Sequence, residues 1–252
     1  MFPAPARLAI KLLRLLTVPA GRRGLRPGVA ATVEHWRALG GLDIATVVDI
    51  GANKGQFALF ATAAFPAAIV YSFEPLEEAA ARFRKVFGEE VTLFETAIGP
   101  RETETSIYVS QRADSSSLLP ITKQSQVFPG TELKEKRIIH VAPLTKYLRP
   151  GNIRAPALLK IDVQGYELEV LSACELLLPL FQFVYVELSY VELYEGQALA
   201  GQVIRHLAER QFQLLGVYNQ STDSYGKPVQ ADFLFANARR AGEAAAKVND
   251  CA

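Results

Sequence analysis

The 252-residue chain has only two cysteines, Cys174 and Cys251. Neither lies in a Cys-x-x-Cys pair or a Cys/His cluster. That excludes a disulfide framework, argues against a zinc site and makes a reducing compartment the simpler setting. Histidine is scarce as well. His35, His140 and His206 are scattered, and none falls at an expected catalytic strand end. Net charge is almost absent at +1, so nothing global draws nucleic acid, and no basic, aromatic-interleaved stripe compensates. Internal repeats and low-complexity runs are also missing. Acidic residues are absent before Glu34, although Arg7, Lys11, Arg14, Arg22, Arg23 and Arg26 all precede it. The leucine-rich stretch among those cations falls well short of the roughly 20 residues of a membrane span. It is also unlike a signal peptide, because its basic residues lie inside the apolar segment.

What is present suits one α/β domain with a substantial core. Half the residues are hydrophobic and about a fifth are charged. Residues 1–28 read as a short basic amphipathic helix and a Gly/Arg/Pro linker. Arg7, Lys11 and Arg14 share one helical face. Two roles fit that helix: packing on its own domain or a second subunit, or lying on an anionic membrane surface. The expected setting is cytoplasmic, with peripheral membrane contact and homo-oligomerisation both open. The alanine-rich end, 241–252, reads as a flexible tail.

From 29 to 240 short apolar runs alternate with longer amphipathic ones. Strands are expected near 46–50, 68–73, 91–97, 157–162 and 182–188. Helices are expected over 29–39 and near 54–64, 76–87, 165–178 and 198–210. That alternation predicts βαβ crossovers and a parallel sheet covered on both faces. The last two strands, 212–218 and 231–236, have only a polar turn between them and should pair antiparallel. A mainly parallel, seven-stranded sheet closed by a C-terminal antiparallel hairpin is the pattern of the Rossmann-like class I methyltransferase fold, here with an N-terminal helical extension. Residues 100–156 interrupt the alternation, with strands at 103–110 and 137–141 around a long loop.

The chemistry concentrates where strands end. Val47-Val48-Asp49-Ile50-Gly51-Ala52-Asn53-Lys54-Gly55 is a β-rich run that turns through two glycines into a helix. Small residues let backbone approach a ligand, the helix offers free N–H groups, and Asp49 is placed to meet a cofactor's ammonium or a bound water. Tight strand–helix packing produces the same spacing. Glu74 ends the next strand about 20 residues after the first glycine, where an acid meets the two hydroxyls of a ribose. An acidic helix cap is the other reading. The denser Gly-x-Gly-x-x-Gly pattern that a pyrophosphate needs is absent, which argues against NAD and FAD. An S-adenosyl cofactor has no phosphate, so methyl transfer outranks hydride transfer.

Leu159-Lys160-Ile161-Asp162-Val163-Gln164-Gly165-Tyr166-Glu167 places Asp162 at another strand end. Asp162 is a candidate proton acceptor for a hydroxyl or a holder of the cofactor's positive end, against the reading of a buried structural cap. Glu167 is expected to fix the turn or favour the helix start. Glu187 ends the adjacent strand and should project near Asp162. The pair suits base chemistry, substrate hydroxyls or a divalent cation, and no histidine supports the cation. Ser116, in the Ser115-Ser116-Ser117 loop, is placed to contact adenine or cover the cofactor, or simply to face solvent. Tyr190, Tyr194 and Tyr225 are candidates to stack on sugar faces.

Taken in order, Val48-Asp49-Ile50-Gly51-Ala52-Asn53-Lys54-Gly55, Phe73-Glu74-Pro75, Ala97-Ile98-Gly99, Ser116-Ser117-Leu118 and Leu159 to Glu167 resemble the FkbM family of S-adenosylmethionine-dependent methyltransferases. The resemblance covers roughly 46–236 and makes 29–240 the expected methyltransferase domain. It implies S-adenosyl-L-methionine as cofactor and transfer of methyl to oxygen, chiefly on sugar hydroxyls of glycans or glycosylated natural products. It maps Asp49, Gly51, Asn53, Gly55 and Glu74 onto cofactor binding, and Ala52 lies within the same turn. Asp162 maps onto the family's acidic strand end, while Gln164 stands where many relatives carry Glu. The expected partner is a small-molecule or glycan hydroxyl, not nucleic acid. An N-methyltransferase and a non-catalytic binding module with the same fold remain as alternatives.

Overall fold

The computed structural model describes Gly24 and residues 28–240. The expected amphipathic helix, nearly all of the linker and the C-terminal tail lie outside the described residues. Among the described residues no helix is long and apolar enough to cross a membrane.

Strands β1 (Thr46–Ile50), β2 (Ile69–Phe73) and β3 (Thr92–Phe94) form half of the main sheet. They alternate with helices α2 (Gln56–Ala64) and α3 (Glu77–Phe87), while α1 (Trp36–Leu39) precedes them. Strands β4 (Ala97–Ile98), β5 (Thr103–Ser110) and β6 (Leu133–Ala142) follow, with the one-turn helix α4 (Gln124–Val127) before β6. The other half of the main sheet comes from β7 (Ala157–Ile161), α5 (Glu167–Ala173), β8 (Phe183–Ser189), α6 (Ala200–Glu209), β9 (Phe212–Thr222) and β10 (Pro228–Asn237).

The seven-stranded sheet has the order β3-β2-β1-β7-β8-β10-β9. Its first five strands run parallel, and β10 returns antiparallel against both β8 and β9. This is the expected class I methyltransferase arrangement. Two cores line the sheet faces, as the period-2 alternation of a doubly covered strand requires. Val48, Leu159 and Val184 pack on the α5/α6 side, while Val47, Leu158 and Phe183 pack with α2 and α3. The same alternation places Asp49, Lys160 and Tyr185 in one register row on the α2 side. Asp162, Glu187 and Asp232 follow one step towards the sheet's carboxyl edge.

Residues 100–156 do more than connect. Strands β5 and β6 pair antiparallel and take up β4 as a second sheet, ordered β4-β6-β5. Its apolar face buries Ile107, Val109, Ile139 and Val141 against Leu76 and Ala79. That packing docks the small sheet over the start of α3, beside the carboxyl edge of the main one. The N-terminal helix expected over 29–39 is reduced to a 3-10 turn, Val33–His35, and the four residues of α1. The helix expected over 165–178 stops at Ala173, and Leu178–Leu180 is a separate 3-10 turn carrying Pro179.

Candidate active site

The β1–α2 turn is stitched to the end of β2. The Gly51 and Ala52 N–H groups both donate to Phe73 O at 3.0 Å. Gly51 and Gly55 hold φ of +82° and +93°, and Asn53 between them also lies in the left-handed region. A Cβ on Gly51 would stand 1.8 Å from Asp162 O, so the end of β7 leaves room only for glycine. A Cβ on Gly55 would meet Phe87 and Phe83, and Gly55 does not line the cavity that opens beside the turn. The packing reading of the two glycines therefore accounts for both. Gly51, Ala52 and Asn53 do line that cavity.

Glu74 is buried on the cavity wall and gathers both elements that follow a strand. Its Oε2 accepts the Asn53 N–H at 2.9 Å and its Oε1 accepts the Leu76 N–H at 2.8 Å. It is thus a turn clamp at the start of α3 as well as a cavity acid. Burial pushes its carboxyl up to about 7, against the two backbone donors that favour the anion. Asn53 Oδ1 is buried with no hydrogen-bond partner.

Asp162 and Glu187 come together as expected, joined by a residue between them. Gln164 Nε2 donates to Asp162 Oδ1 at 2.8 Å and to Glu187 Oε2 at 2.9 Å. The Asp162 carboxylate accepts only donors, which fixes the direction of this amide. Its Oε1 accepts from the Tyr194 hydroxyl at 2.9 Å. Gln164 reaches this position through a left-handed φ of +57°, an uncommon conformation for a side chain of its size. The second Glu187 oxygen accepts from Gln230 Nε2 at 2.9 Å. Burial, then the nearby Asp162, raises the Glu187 carboxyl well above its ordinary range. Glu187 does not line the cavity. Asp162 does, with over a third of its side chain exposed. Glu167 fixes the turn, its Oε1 accepting the Val163 and Gly165 N–H groups.

Lys160 is a site residue that the sequence reading misses. Its ammonium lies 3.1 Å from Asp49 Oδ1, 3.2 Å from Gly51 O, 3.7 Å from Asp162 Oδ2 and 5.4 Å from the centre of the Phe57 ring. Asp49 is fully buried behind it and is not on the cavity wall, whereas Lys160 is. Burial opposes the ammonium charge, but Asp49 and Asp162 outweigh it and hold the lysine above its ordinary pKa. The one sequence signal for it is a charged residue inside the otherwise apolar run of a doubly covered strand.

His35 corrects the reading that no histidine reaches the active edge. It lines the cavity, and its Nδ1 is 3.0 Å from the Tyr185 hydroxyl, which donates to Asp232 Oδ2 at 2.9 Å. Asn219 Nδ2 donates to the same oxygen at 2.7 Å. Ser116 lines the opposite wall, where its Oγ accepts the Ser110 N–H at 3.1 Å. The sugar-stacking reading fails for Tyr194, which is 1% exposed. Tyr190 packs on Phe233, and Tyr225 stands exposed in the turn between β9 and β10. Among the described residues, no group of three or more His, Cys, Asp or Glu side chains is arranged to hold a metal ion.

Comparisons with known proteins follow the same lines. The family described as "Methyltransferase FkbM domain" matches residues 49–214. A curated relative, the 2-O-methyltransferase NoeI of Sinorhizobium fredii (strain NBRC 101917 / NGR234), is 29% identical over 161 residues. The match covers 60% of this chain and 66% of that relative, just under two thirds of its length. Among solved structures, cofactor-bound Rv0187 from MTB has a TM-score of 0.49 at 14% identity, covering 94% of this chain and 99% of the other. Fibrillarin of Aeropyrum pernix, solved with S-adenosyl-L-methionine, has a TM-score of 0.46 at 11% identity, covering 82% and 72%.

Proposed function

The chain belongs to the FkbM methyltransferase domain family, and from that premise we propose that it moves a methyl group from S-adenosyl-L-methionine to a hydroxyl oxygen of a sugar, in a glycan or a glycosylated natural product. The observation that carries this reading is one cavity shared by Glu74 and Asp162, a ribose-type acid and a partly exposed strand-end carboxylate. The name of the curated relative, which specifies transfer to a 2-oxygen, supports oxygen as the acceptor.

The cavity's residues fit the cofactor. Each Glu74 oxygen has accepted one backbone N–H and keeps a lone pair for a ribose hydroxyl. Asn53 Oδ1, buried without a partner, awaits a donor. Ile98, Ile107 and Leu118 offer an apolar wall for a flat ring, with Ser116 beside it. S-adenosyl-L-methionine, when bound, supplies an electrophilic methyl on sulfur. The remaining work is alignment of an oxygen and removal of its proton. Asp162 is the proton acceptor in this scheme. Gln164 holds its Oδ1, and Lys160 stands near its Oδ2. Glu187, with both oxygens taken by amide donors, acts as a positioning residue that pins Gln164 and hence Asp162. The acceptor is a small molecule or glycan, not nucleic acid.

The test is calorimetric titration with S-adenosylmethionine and S-adenosylhomocysteine, with and without magnesium, followed by methyl-transfer assays on hydroxyl and amine acceptors. Binding near micromolar, lost in Glu74→Ala, with transfer to hydroxyls is the expected outcome. Transfer only to amines would overturn the oxygen assignment. No binding under any condition would leave a non-catalytic module.

A further inference from the structure

Parallel strands covered on both faces are apolar, and a lysine in one of them is costly unless it is paired. Lys160 is paired, but a pair of well-packed apolar residues would serve stability as well or better. Its placement points to recognition. Of the Lys160–Asp49 ion pair, only Lys160 reaches the cavity. Among the described residues it is the only lysine or arginine on the cavity wall. An ammonium has three donors. Gly51 O takes one of them at 3.2 Å, while Asp49 Oδ1, at 3.1 Å, is an ion-pair contact without a hydrogen bond and Asp162 Oδ2, at 3.7 Å, is beyond hydrogen-bond length. The ammonium keeps donors for a ligand.

The surroundings suit an anion at this end. Phe57, beneath the ammonium, packs against His35, and the Thr32 hydroxyl donates to Gln56 O. Those four residues also line the cavity and carry no negative charge. The acids on the wall, Glu74, Asp114 and Asp162, leave Lys160 as the one cationic counterpart among these described residues. The proposed cofactor has one anionic group, the carboxylate of its amino-acid end, and it must be desolvated on entry. We propose that Lys160 binds that carboxylate, with Asp49 as the buried counter-ion that holds the ammonium in place. This rests on the S-adenosyl reading above. It reverses the simplest expectation for the β1 acid, because Asp49 then serves the cofactor through Lys160.

The test compares two ligands that differ only in that carboxylate: S-adenosylmethionine and its decarboxylated analogue. 5′-Methylthioadenosine, which lacks the whole amino-acid end, is the control. Calorimetry on the wild-type chain should show S-adenosylmethionine binding about 10- to 100-fold more tightly than the decarboxylated form, the range of one charge-assisted hydrogen bond. In Lys160→Met that preference should collapse to within about 3-fold, with 5′-methylthioadenosine binding unchanged. Lys160→Met alone strands Asp49, so Asp49→Asn/Lys160→Met, which removes both charges, is measured beside it with circular dichroism to establish folding. The same collapse is expected in the double variant. A folded variant that keeps the wild-type preference would overturn the assignment and leave the cofactor reading standing. A wild-type chain that binds none of the three ligands would overturn both.

Discussion

Asp162 divides its two oxygens between holding still and reacting. Oδ1 is fixed by the Gln164 amide, and the carboxylate as a whole faces the cavity. Asp162→Asn keeps size and most of the geometry but removes the proton acceptor. Turnover should fall by about 10²- to 10⁴-fold, the range for loss of a general base, with cofactor affinity changed by no more than about 3-fold. Steady-state kinetics beside calorimetry separate the two, and unchanged turnover would remove Asp162 from proton transfer. Glu74 predicts a pH dependence instead. Burial raises its carboxyl to about 7 in the free site, and two ribose hydroxyls would favour the anion. Below that pH the group must lose a proton to accept both hydroxyls, and above it the anion is already present. Affinity for S-adenosylhomocysteine should therefore rise from about pH 6 to about pH 8, and Glu74→Gln should flatten the rise. Both acids are legible in the sequence because each ends an apolar run. Lys160 and His35 are not, because their significance lies in partners distant in sequence: Asp49 for one, and Tyr185 with Asp232 for the other.

At the scale of elements, the β1–α2 turn and the end of β7 are one construction. The Asp162 N–H donates to Ile50 O at 3.1 Å, and the Asp162 carbonyl fills the space where a Gly51 side chain would lie. Gly51→Ala adds both a clash with backbone and a positive-φ penalty. It should cost roughly 3 kcal/mol or more, measured by urea unfolding. Gly88, at φ +57° with nothing within 4 Å of where a Cβ would stand, carries a positive-φ penalty without a clash, and Gly88→Ala should cost less, about 1–2 kcal/mol. Equal costs would mean that β7 yields to the added methyl. The main strands are readable from apolar runs because their residues answer to burial on both faces. The second sheet is not, since periodicity reveals β5 and β6 as strands but says nothing about which partners they choose. The helix expected over 165–178 falls short for a physical reason. Leu176 is 81% exposed, so the leucine run after Ala173 does not continue the buried face of the helix, and Leu178–Leu180 turns separately as a 3-10 helix.

Across the whole molecule, acids are concentrated at the carboxyl edge of the sheet and paid for in stability. Burial raises Glu74 and Glu167 to about 7 and Asp232 to about 6, and it raises Glu187 well above its ordinary range. The sign follows from proton counting. Between about pH 4.5 and about pH 7 an unfolded chain has released these protons while the folded one retains them, so stability falls as pH rises through that window. For Glu167, moving from 4.5 to about 7 corresponds to a loss of roughly 3 kcal/mol. Surface pairs such as Glu78–Arg137 work in the opposite sense but are exposed and screened, so they do not reverse the trend. Glu167→Gln isolates one contribution, because its amide oxygen still accepts the Val163 and Gly165 N–H groups while nothing titrates. Thermal unfolding of the variant and the wild type should give the wild type its largest relative advantage at about pH 4.5 and below. That advantage should shrink steadily towards pH 8, where the buried carboxylate has ionised without a cation beside it. A stability difference that stays constant with pH would mean that Glu167 ionises in the folded state as readily as in the unfolded one. Its two backbone donors, rather than desolvation, would then set its charge.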